Sequence, residues 1–224
     1  MDVSSVAVEV SRRYVYVLHM YIFVNSLPLS LSKHFHSIMA MPMGIFRLAM
    51  IQVGYTARQS LTVIELHFLG MYMPGLWSGK FISKRGPPAA IFLSLFFSAG
   101  ATVINLFCEN PDDGNIVTWY FGLILLGIGW NFGFSATTVW VTGSYKALPH
   151  LRSKVQAANE SLMFFIAGCF IFSSGYIFEA GGSGLDGWKT INYVNFGMMA
   201  VMLGISVVGI NGMKSKRDGS ATNS

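Results

Sequence analysis

The most constraining feature of this sequence is the stretch from His67 to Gly86, HFLGMYMPGLWSGKFISKRG. It begins as an apolar run that contains small residues and ends in a short segment with three cations. Gly86 and two prolines follow directly after this segment. An apolar helix that leads into a short basic loop is typical of a membrane span whose following loop faces the cytosol. The other segments of the chain can be oriented from this one.

The composition supports a membrane protein rather than a soluble one. The 224 residues are 53% hydrophobic and 11% charged, and the mean hydropathy is +0.52. Soluble domains carry about 25% charged residues, so this chain has too few ionisable groups to cover a globule of its size. The pI of about 9.3 does not indicate nucleic acid binding, because the cations cluster between apolar runs as loop residues do.

The apolar runs predict an all-α, polytopic transmembrane bundle of six helices, since one span needs about 20 apolar residues. The first run, Tyr14–Leu31, follows Arg12 and Arg13 and lacks a cleavage site, which favours an uncleaved membrane helix over a signal peptide. A polar stretch at 32–37 separates it from a second run, Ile38–Val53. We expect one bent or broken span with Pro42 near its outer part, and two separate spans are the alternative.

Five further spans are expected at Leu61–Ile82, Ala89–Phe107, Ile116–Val141, Val155–Phe178 and Trp188–Ile210. The charges agree with this count, because eleven of the fifteen cations fall on one side of the membrane: Arg12, Arg13, Lys80, Lys84, Arg85, Lys146, Arg152, Lys154, Lys214, Lys216 and Arg217. The opposite side holds only two cations, Arg58 and Lys189, and five of the ten acidic residues: Glu109, Asp112, Asp113, Glu179 and Asp186. The positive-inside rule therefore predicts an integral, multi-pass protein with both termini in the cytosol. The kind of membrane is left open.

With the loops placed, the chain resembles the major facilitator superfamily, and within it the C-terminal six-helix half. That family carries a Gly-x-x-x-[Asp/x]-Arg/Lys-x-Gly motif in the loop after the second helix of each half, and Gly79-Lys80-Phe81-Ile82-Ser83-Lys84-Arg85-Gly86 stands in that place. Ser83 occupies the position of the acid that is usual in the N-terminal copy. Other stretches are similar to a bacterial-type subgroup of these transporters: Met39–Pro42, His67–Pro74, Gly127–Phe132 and Val155–Glu160.

The resemblance divides the chain into three parts. Residues 1–37 match poorly and include part of the first helix, 38–211 form the transporter-like half, and 212–224 are expected to be a disordered cytosolic tail. A complete member of the family has about twelve helices in two halves, with the solute site between them near the midplane. The resemblance thus implies a fragment or a half that pairs with a second half or a second copy. Its implied partners are the lipid bilayer and a small organic solute.

Several polar residues in the spans are candidates for a solute path or for coupling. On the fourth span Asn131, Ser135, Thr138 and Thr142 are spaced so that they form one stripe along a helix, and Trp130 lies beside it. Such a stripe faces protein or a wet cavity, so interhelical hydrogen bonding is the alternative to a solute path. Glu65 and His67 lie in the outer part of the second span, about 200° apart around the helix. Either could relay a proton, because ionisable groups in a membrane are costly and usually have a partner or a task.

The glycines Gly75 and Gly79, and Gly129 and Gly133, have the spacing that lets helices approach closely. The resemblance also implies a cytosolic gate motif, made of Gly79, Lys80, Lys84, Arg85 and Gly86 with Gln156, Asn159 and Glu160. The alternatives are that the cations only set topology and that the polar residues near 156–160 cap the helix and pair with nearby cations.

No catalytic constellation is found, and neither a cofactor nor a metal is expected. His34 and His36 are two histidines without further ligands, and Cys108 and Cys169 fall in different segments without a metal or redox spacing. The resemblance, with the loop charges and the polar stripe, implies a transporter that moves a small organic solute by alternating access, with proton coupling as an option and no enzymatic activity. A non-transporting membrane remnant or interaction subunit is the alternative.

Overall fold

A computed structural model describes residues 27–143 and 152–221 of the chain, and within these ranges the protein is helical and has no strand. The described residues form seven helices: α1 (Leu27–Gln52), α2 (Ala57–Tyr72), α3 (Gly75–Arg85), α4 (Pro87–Asn105), α5 (Val117–Gly143), α6 (Arg152–Ala180) and α7 (Gly184–Ala221).

The helix α1 is continuous through the polar stretch at 32–37 that left the path of the first span open. Ser32, His36 and Ser37 are buried inside the bundle, and the Ser37 hydroxyl donates to the backbone carbonyl of Lys33 at 2.9 Å. The polar side chains therefore do not need a loop in water, and the alternative of two separate spans is wrong for residues 27–52. Pro42 lies within the helix without ending it. The part of the first run at 14–26 lies outside the described residues.

The helices α2 and α3 are two parts of one bent span. Thr56 and Gln59 form a reciprocal cap at the start of α2, with N···O distances of 3.2 and 2.8 Å. Met73 and Pro74, between the two helices, both keep right-handed helical dihedrals. Pro74 has no backbone N–H and interrupts the hydrogen-bond ladder, which accounts for the bend. Counting this pair once, the described residues form six helical segments, the number of helices that the sequence predicted.

Four helices are long and apolar enough to cross a membrane by length and composition, namely Pro87–Asn105, Val117–Thr142, Gln156–Ala180 and Gly184–Asn211. Large apolar side chains remain exposed on the bundle surface, such as Phe96, Phe165 and Phe172, each about 70% exposed. Such a surface is stable against lipid rather than water. The protein is therefore an integral, multi-pass membrane protein.

The helices α1 and α5 form the centre of the bundle. The helix α5 packs on α4, α2 and α1, whereas α1 packs in addition on α6 and α7. The connections at 53–56, 106–116 and 181–183 lie at one end of the bundle, because the helices alternate in direction. The basic turn at Lys84–Gly86 lies at the other end. The helix α7 continues to Ala221, so the tail boundary expected at 212 does not coincide with the end of a helix.

The end opposite the basic turn is held by an aromatic cluster. The Tyr55 hydroxyl and the Trp119 indole both donate to the backbone carbonyl of Glu109, at 3.2 and 3.3 Å. Trp119 in turn packs on Trp188, with ring centroids 5.0 Å apart. Burial in this region raises the pKa of the Cys108 thiol to about 12, so the thiol is protonated at physiological pH.

Candidate functional site

The helices α2 and α5 cross in close contact near the candidate residues. A Cβ atom at Gly127 would come within 2.6 Å of the His67 carbonyl oxygen and 2.9 Å of the Met71 nitrogen. A Cβ atom at Gly70 would come within 2.5 Å of the Ile124 carbonyl oxygen. Because main-chain atoms cannot move aside as a flexible side chain can, both positions require glycine at this separation of the helices.

His67 is fully buried at this crossing. Its Nδ1 atom is 2.7 Å from the Leu123 carbonyl oxygen, and because a carbonyl only accepts, Nδ1 carries the proton and donates. Its Nε2 atom is buried without a hydrogen-bond partner in the described structure. His67 thus joins α2 to α5, while the expectation that it relays a proton stays a prediction. Glu65 is exposed on another face of α2, so the two side chains are not brought together, as their spacing predicted.

Asn131 makes the second hydrogen bond of the crossing, in which α5 supplies the donor and α2 the acceptor. Its Nδ2 atom donates to the Met71 carbonyl oxygen at 2.7 Å, next to the bend at Pro74. Carbonyl groups close to a helix break lose their usual acceptor role in the ladder and need another donor. The side chain of Asn131 supplies it, which fits the interhelical alternative given for the polar stripe. The remainder of the stripe, Ser135, Thr138 and Thr142, is half-buried.

Trp130 belongs to a separate cluster of rings at the middle of the bundle. It lies at the midpoint of the 27-residue helix α5, about 20 Å from either end. Its ring stacks on Phe134 with centroids 4.8 Å apart and an interplanar angle of 10°, and its indole N–H donates to Nδ1 of His36 at 3.1 Å. His36 also packs edge-on against Phe164 of α6, at 5.3 Å. The cluster therefore joins α1, α5 and α6, with Trp130 half-buried at its surface.

The residues of the expected gate motif lie in two separate places. Gly79, Lys80, Lys84 and Arg85 are exposed on α3, and Gly86 ends that helix with a positive φ of 81°. Gln156 donates to Glu160 at 3.1 Å on α6, and the Oδ1 atom of Asn159 is buried without a hydrogen-bond partner among the described residues. Because α3 packs mainly on α4 and α5, and α6 mainly on α1 and α7, the structure does not bring the two parts together. Their role as a gate stays a prediction.

The two glycine pairs have different surroundings. A Cβ atom at Gly129 would meet the Ser98 hydroxyl at 2.5 Å, and one at Gly133 would meet Phe35 and the Ser94 hydroxyl at 2.6 Å. This pair brings α5 against α4 and α1. By contrast, a Cβ atom at Gly79 would meet nothing within 4 Å, and one at Gly75 only the Asn131 amide at 3.7 Å.

The sequence reasoning missed a buried polar row on α4, formed by Ser94, Ser98, Thr102 and Asn105. The Ser94 hydroxyl donates to the Gly129 carbonyl oxygen at 2.5 Å, so the row contacts the glycines of α5. The spacing of four, four and three residues follows one helix face and was a sufficient signal. Asn195 on α7 was also missed, and it is fully buried without a partner for its side-chain atoms in the described part of the chain.

Residues 27–143 and 152–221 contain no group of three or more His, Cys, Asp or Glu side chains that could hold a metal ion.

Neither a family model nor a solved structure matches this sequence. Curated proteins do match it, two of them with the following identity and coverage. The chain is 32% identical over 168 residues to the riboflavin transporter RfnT of Brucella anthropi, which covers 75% of this chain and 39% of that protein. It is 30% identical over 103 residues to the uncharacterised MFS-type transporter YddS of Bacillus subtilis, which covers 45% of this chain and 22% of that protein. The chain thus spans less than half the length of either relative.

Proposed function

This chain belongs to the major facilitator superfamily, and from that premise we propose that it is the C-terminal six-helix half of a transporter that moves a small organic solute by alternating access. The observation that carries the proposal is the ring cluster at the middle of α5, in which half-buried Trp130 and Phe134 contact the buried His36 of α1. In transporters built from two halves the solute binds near the bilayer midplane, and this cluster has that depth.

The solute that suits this cluster contains a planar ring. Trp130 and Phe134 are stacked with an interplanar angle of 10°, and a flat solute can extend such a stack with a third ring. The name of the relative RfnT refers to riboflavin, which has a planar ring system, and this agrees with the proposal. The half-buried hydroxyls of Ser135 and Thr138, on the following turns of α5, are within the same span and would bond polar groups of the solute.

The crossing of α2 and α5 supplies a rigid part for the transport movement. The hydrogen bonds from His67 to Leu123 and from Asn131 to Met71 join the helices where their backbones already touch. We propose that the two helices move together while other helix contacts change. If transport is coupled to protons, His67 is the proposed carrier, and Nε2 is the atom that would take the proton. Glu65, exposed on α2, is the second candidate.

The orientation in the membrane is part of the proposal. The basic turn at Lys84 and Arg85 faces the cytosol by the positive-inside rule, which places both termini there. The gate residues would then act at the cytosolic ends of α3 and α6, each against a part of the transporter outside the described residues, because the two sets do not meet within residues 27–143 and 152–221.

Binding of riboflavin to the chain in lipid nanodiscs tests the ring site, with quenching of the flavin fluorescence as the signal. We expect saturable binding. Trp130→Leu should weaken it by about two- to tenfold, which corresponds to the loss of one aromatic pair of about 0.5–1.5 kcal/mol, whereas Trp130→Phe should largely retain it. The matched control is Trp77→Leu, which removes an exposed tryptophan of α3 outside the cluster. Binding that is equal in all four proteins would contradict a ring site at Trp130.

Flux is the test of transport itself. In vesicles prepared from cells that make the protein, labelled riboflavin should exchange against unlabelled riboflavin, and disruption of the gene should abolish the exchange. A non-transporting membrane subunit or remnant is the alternative function. Absence of flux for every ring solute and under every gradient would support that alternative.

A further inference from the structure

The outer surface of the bundle has a groove between α4 and α7 that the proposed transport function does not use. It has a volume of about 380 Å³. Its rims are made by Phe92 and Phe96 of α4 and by Phe196 and Leu203 of α7, and these four side chains are 41–71% exposed. Ala99 and Ala200 make room between the rims, since a larger side chain at either position would fill the space. The groove is thus an open, wholly apolar channel in the lipid-facing surface.

The groove lies mostly within the hydrocarbon of one leaflet and reaches slightly past the bilayer midplane. Phe92 and Ala99 lie five and twelve residues after Pro87, the first residue of α4, which corresponds to depths of about 8 and 18 Å along the helix. One leaflet contributes about 15 Å of hydrocarbon. Leu95 and Met199, which are almost fully buried, form the floor. No lining side chain offers a hydrogen-bond donor or acceptor, so the occupant at this depth is a hydrocarbon chain.

The cations at one end of the groove select the headgroup. The indole N–H of Trp188, near the start of α7, donates to the Asn105 carbonyl oxygen at the end of α4, at 3.0 Å, so the two helices are antiparallel. The end of α7 therefore passes the start of α4, where Lys84 and Arg85 are exposed in the preceding turn. An acyl chain in the groove thus places its headgroup near Lys84 and Arg85.

We propose that the groove between α4 and α7 binds an anionic phospholipid, with an acyl chain between Ala99 and Ala200 and the headgroup at the cationic end. The site is independent of the solute site, because it lies on other helix faces and needs only that the chain is in a bilayer. A juxtamembrane cation is worth about a fivefold increase in the binding of an anionic lipid, so Lys84 and Arg85 together give a clear preference over a zwitterionic lipid.

Quenching by brominated lipids tests this site in the 224-residue chain, reconstituted into phosphatidylcholine vesicles. Phe96→Trp places a fluorescent probe on the rim, and Phe165→Trp, at an equally exposed phenylalanine of α6, is the matched control. Wild-type protein supplies the background of the native tryptophans. Each protein receives brominated phosphatidylglycerol or brominated phosphatidylcholine at the same low mole fraction.

We expect brominated phosphatidylglycerol to quench Phe96→Trp at a mole fraction at least about fivefold lower than brominated phosphatidylcholine does. Phe165→Trp should show a much smaller difference. Adding Lys84→Gln and Arg85→Gln to Phe96→Trp should reduce the headgroup preference, whereas adding Ala99→Phe should reduce quenching by both lipids, with circular dichroism confirming that each variant is folded. The Lys84 and Arg85 changes are on the exposed surface, so they keep the test open if Ala99→Phe does not fold.

Equal quenching by the two lipids at Phe96→Trp, or a preference that is the same at Phe165→Trp, would overturn the proposal. So would a lack of quenching by either lipid, because the groove would then be covered by protein, such as a second copy of the chain.

Discussion

Replacing Gly127 by alanine tests whether the contact between α2 and α5 holds the bundle together. The new methyl group would lie 2.6 Å from the His67 carbonyl oxygen and 2.9 Å from the Met71 nitrogen, both far below ordinary contact. Neither atom can rotate away, so the helices must separate by several tenths of an ångström or more. The separation also lengthens the bonds from His67 to Leu123 and from Asn131 to Met71, both 2.7 Å in the intact protein.

The size of the destabilisation follows from the overpacking, the weakened hydrogen bonds and the helix propensity of alanine. Overpacking costs about 1–3 kcal/mol, and the two interhelical hydrogen bonds are worth about 0.6 kcal/mol each in a membrane protein. Alanine returns at most about 1 kcal/mol through its higher helix propensity. We therefore expect Gly127→Ala to lower the free energy of unfolding by about 1–3 kcal/mol.

Unfolding in mixed micelles with a rising mole fraction of sodium dodecyl sulfate, followed by far-ultraviolet circular dichroism, measures this change. The matched control is Gly100→Ala in α4, where a Cβ atom would meet nothing within 4 Å. That variant should be as stable as the wild type or slightly more stable. If Gly127→Ala unfolds at the same detergent fraction as Gly100→Ala, the close contact between the helices does not exist and the reasoning is refuted.

Four further predictions concern other parts of the bundle. In a Cys169→Ser background, Cys108 should react with N-ethylmaleimide at pH 8 at least tenfold more slowly in the folded than in the unfolded protein. The reason is that burial raises the pKa of its thiol from 9.0 to about 12, and equal rates would contradict the burial. Because of the same difference in pKa, the Cys108 thiol loses its proton at a lower pH in the unfolded than in the folded protein. The free energy of unfolding should therefore fall as the pH rises from about 9 towards 12, and Cys108→Ala should remove that fall. Tyr55→Phe should cost about 1 kcal/mol in the detergent assay by removing the bond to the carbonyl of Glu109, and an unchanged midpoint would exclude that bond. Ser94→Ala should cost about 0.6–1.7 kcal/mol by removing the bond to α5, and a variant as stable as the wild type would show that it contributes nothing.

The helices and their order could be predicted because lipid leaves a strong signal in a sequence. Long apolar runs interrupted by charged or proline-rich turns identified the spans of α4 to α7 closely, since a membrane helix has to satisfy its backbone internally. The basic turn after α3 was equally clear, because its cations, Gly86 and two prolines end one helix and begin the next.

The first span was harder to predict because burial inside a bundle removes the usual signal. Ser32, His36 and Ser37 make the stretch appear to be a loop, whereas the structure buries them against neighbouring helices. Hydropathy measures how a side chain behaves towards lipid or water, and it has no information on a polar group that faces protein. The polar row of α4 was missed for the same reason, although its spacing was visible.

The candidate site was predictable in its residues and not in its partners. The spacing of Asn131 and its neighbours indicated a stripe on one helix face, but the choice between a solute path and a bond to another helix needed the position of Met71 on α2. The same applies to Trp130, whose neighbour His36 is 94 residues away in the chain. Contacts of this kind depend on how helices pack, which single-sequence periodicity does not determine.

The most direct test of the account is the sidedness of its two ends. In a background with Cys108→Ser and Cys169→Ser, single cysteines at Lys84→Cys and Asp112→Cys are labelled in intact cells with a membrane-impermeant maleimide. The bundle places the two positions at opposite ends, so we expect Asp112→Cys to react from outside and Lys84→Cys to react only after the membrane is permeabilised. Reaction of both cysteines from the same side would contradict the arrangement of six alternating spans, and with it the proposed transporter half.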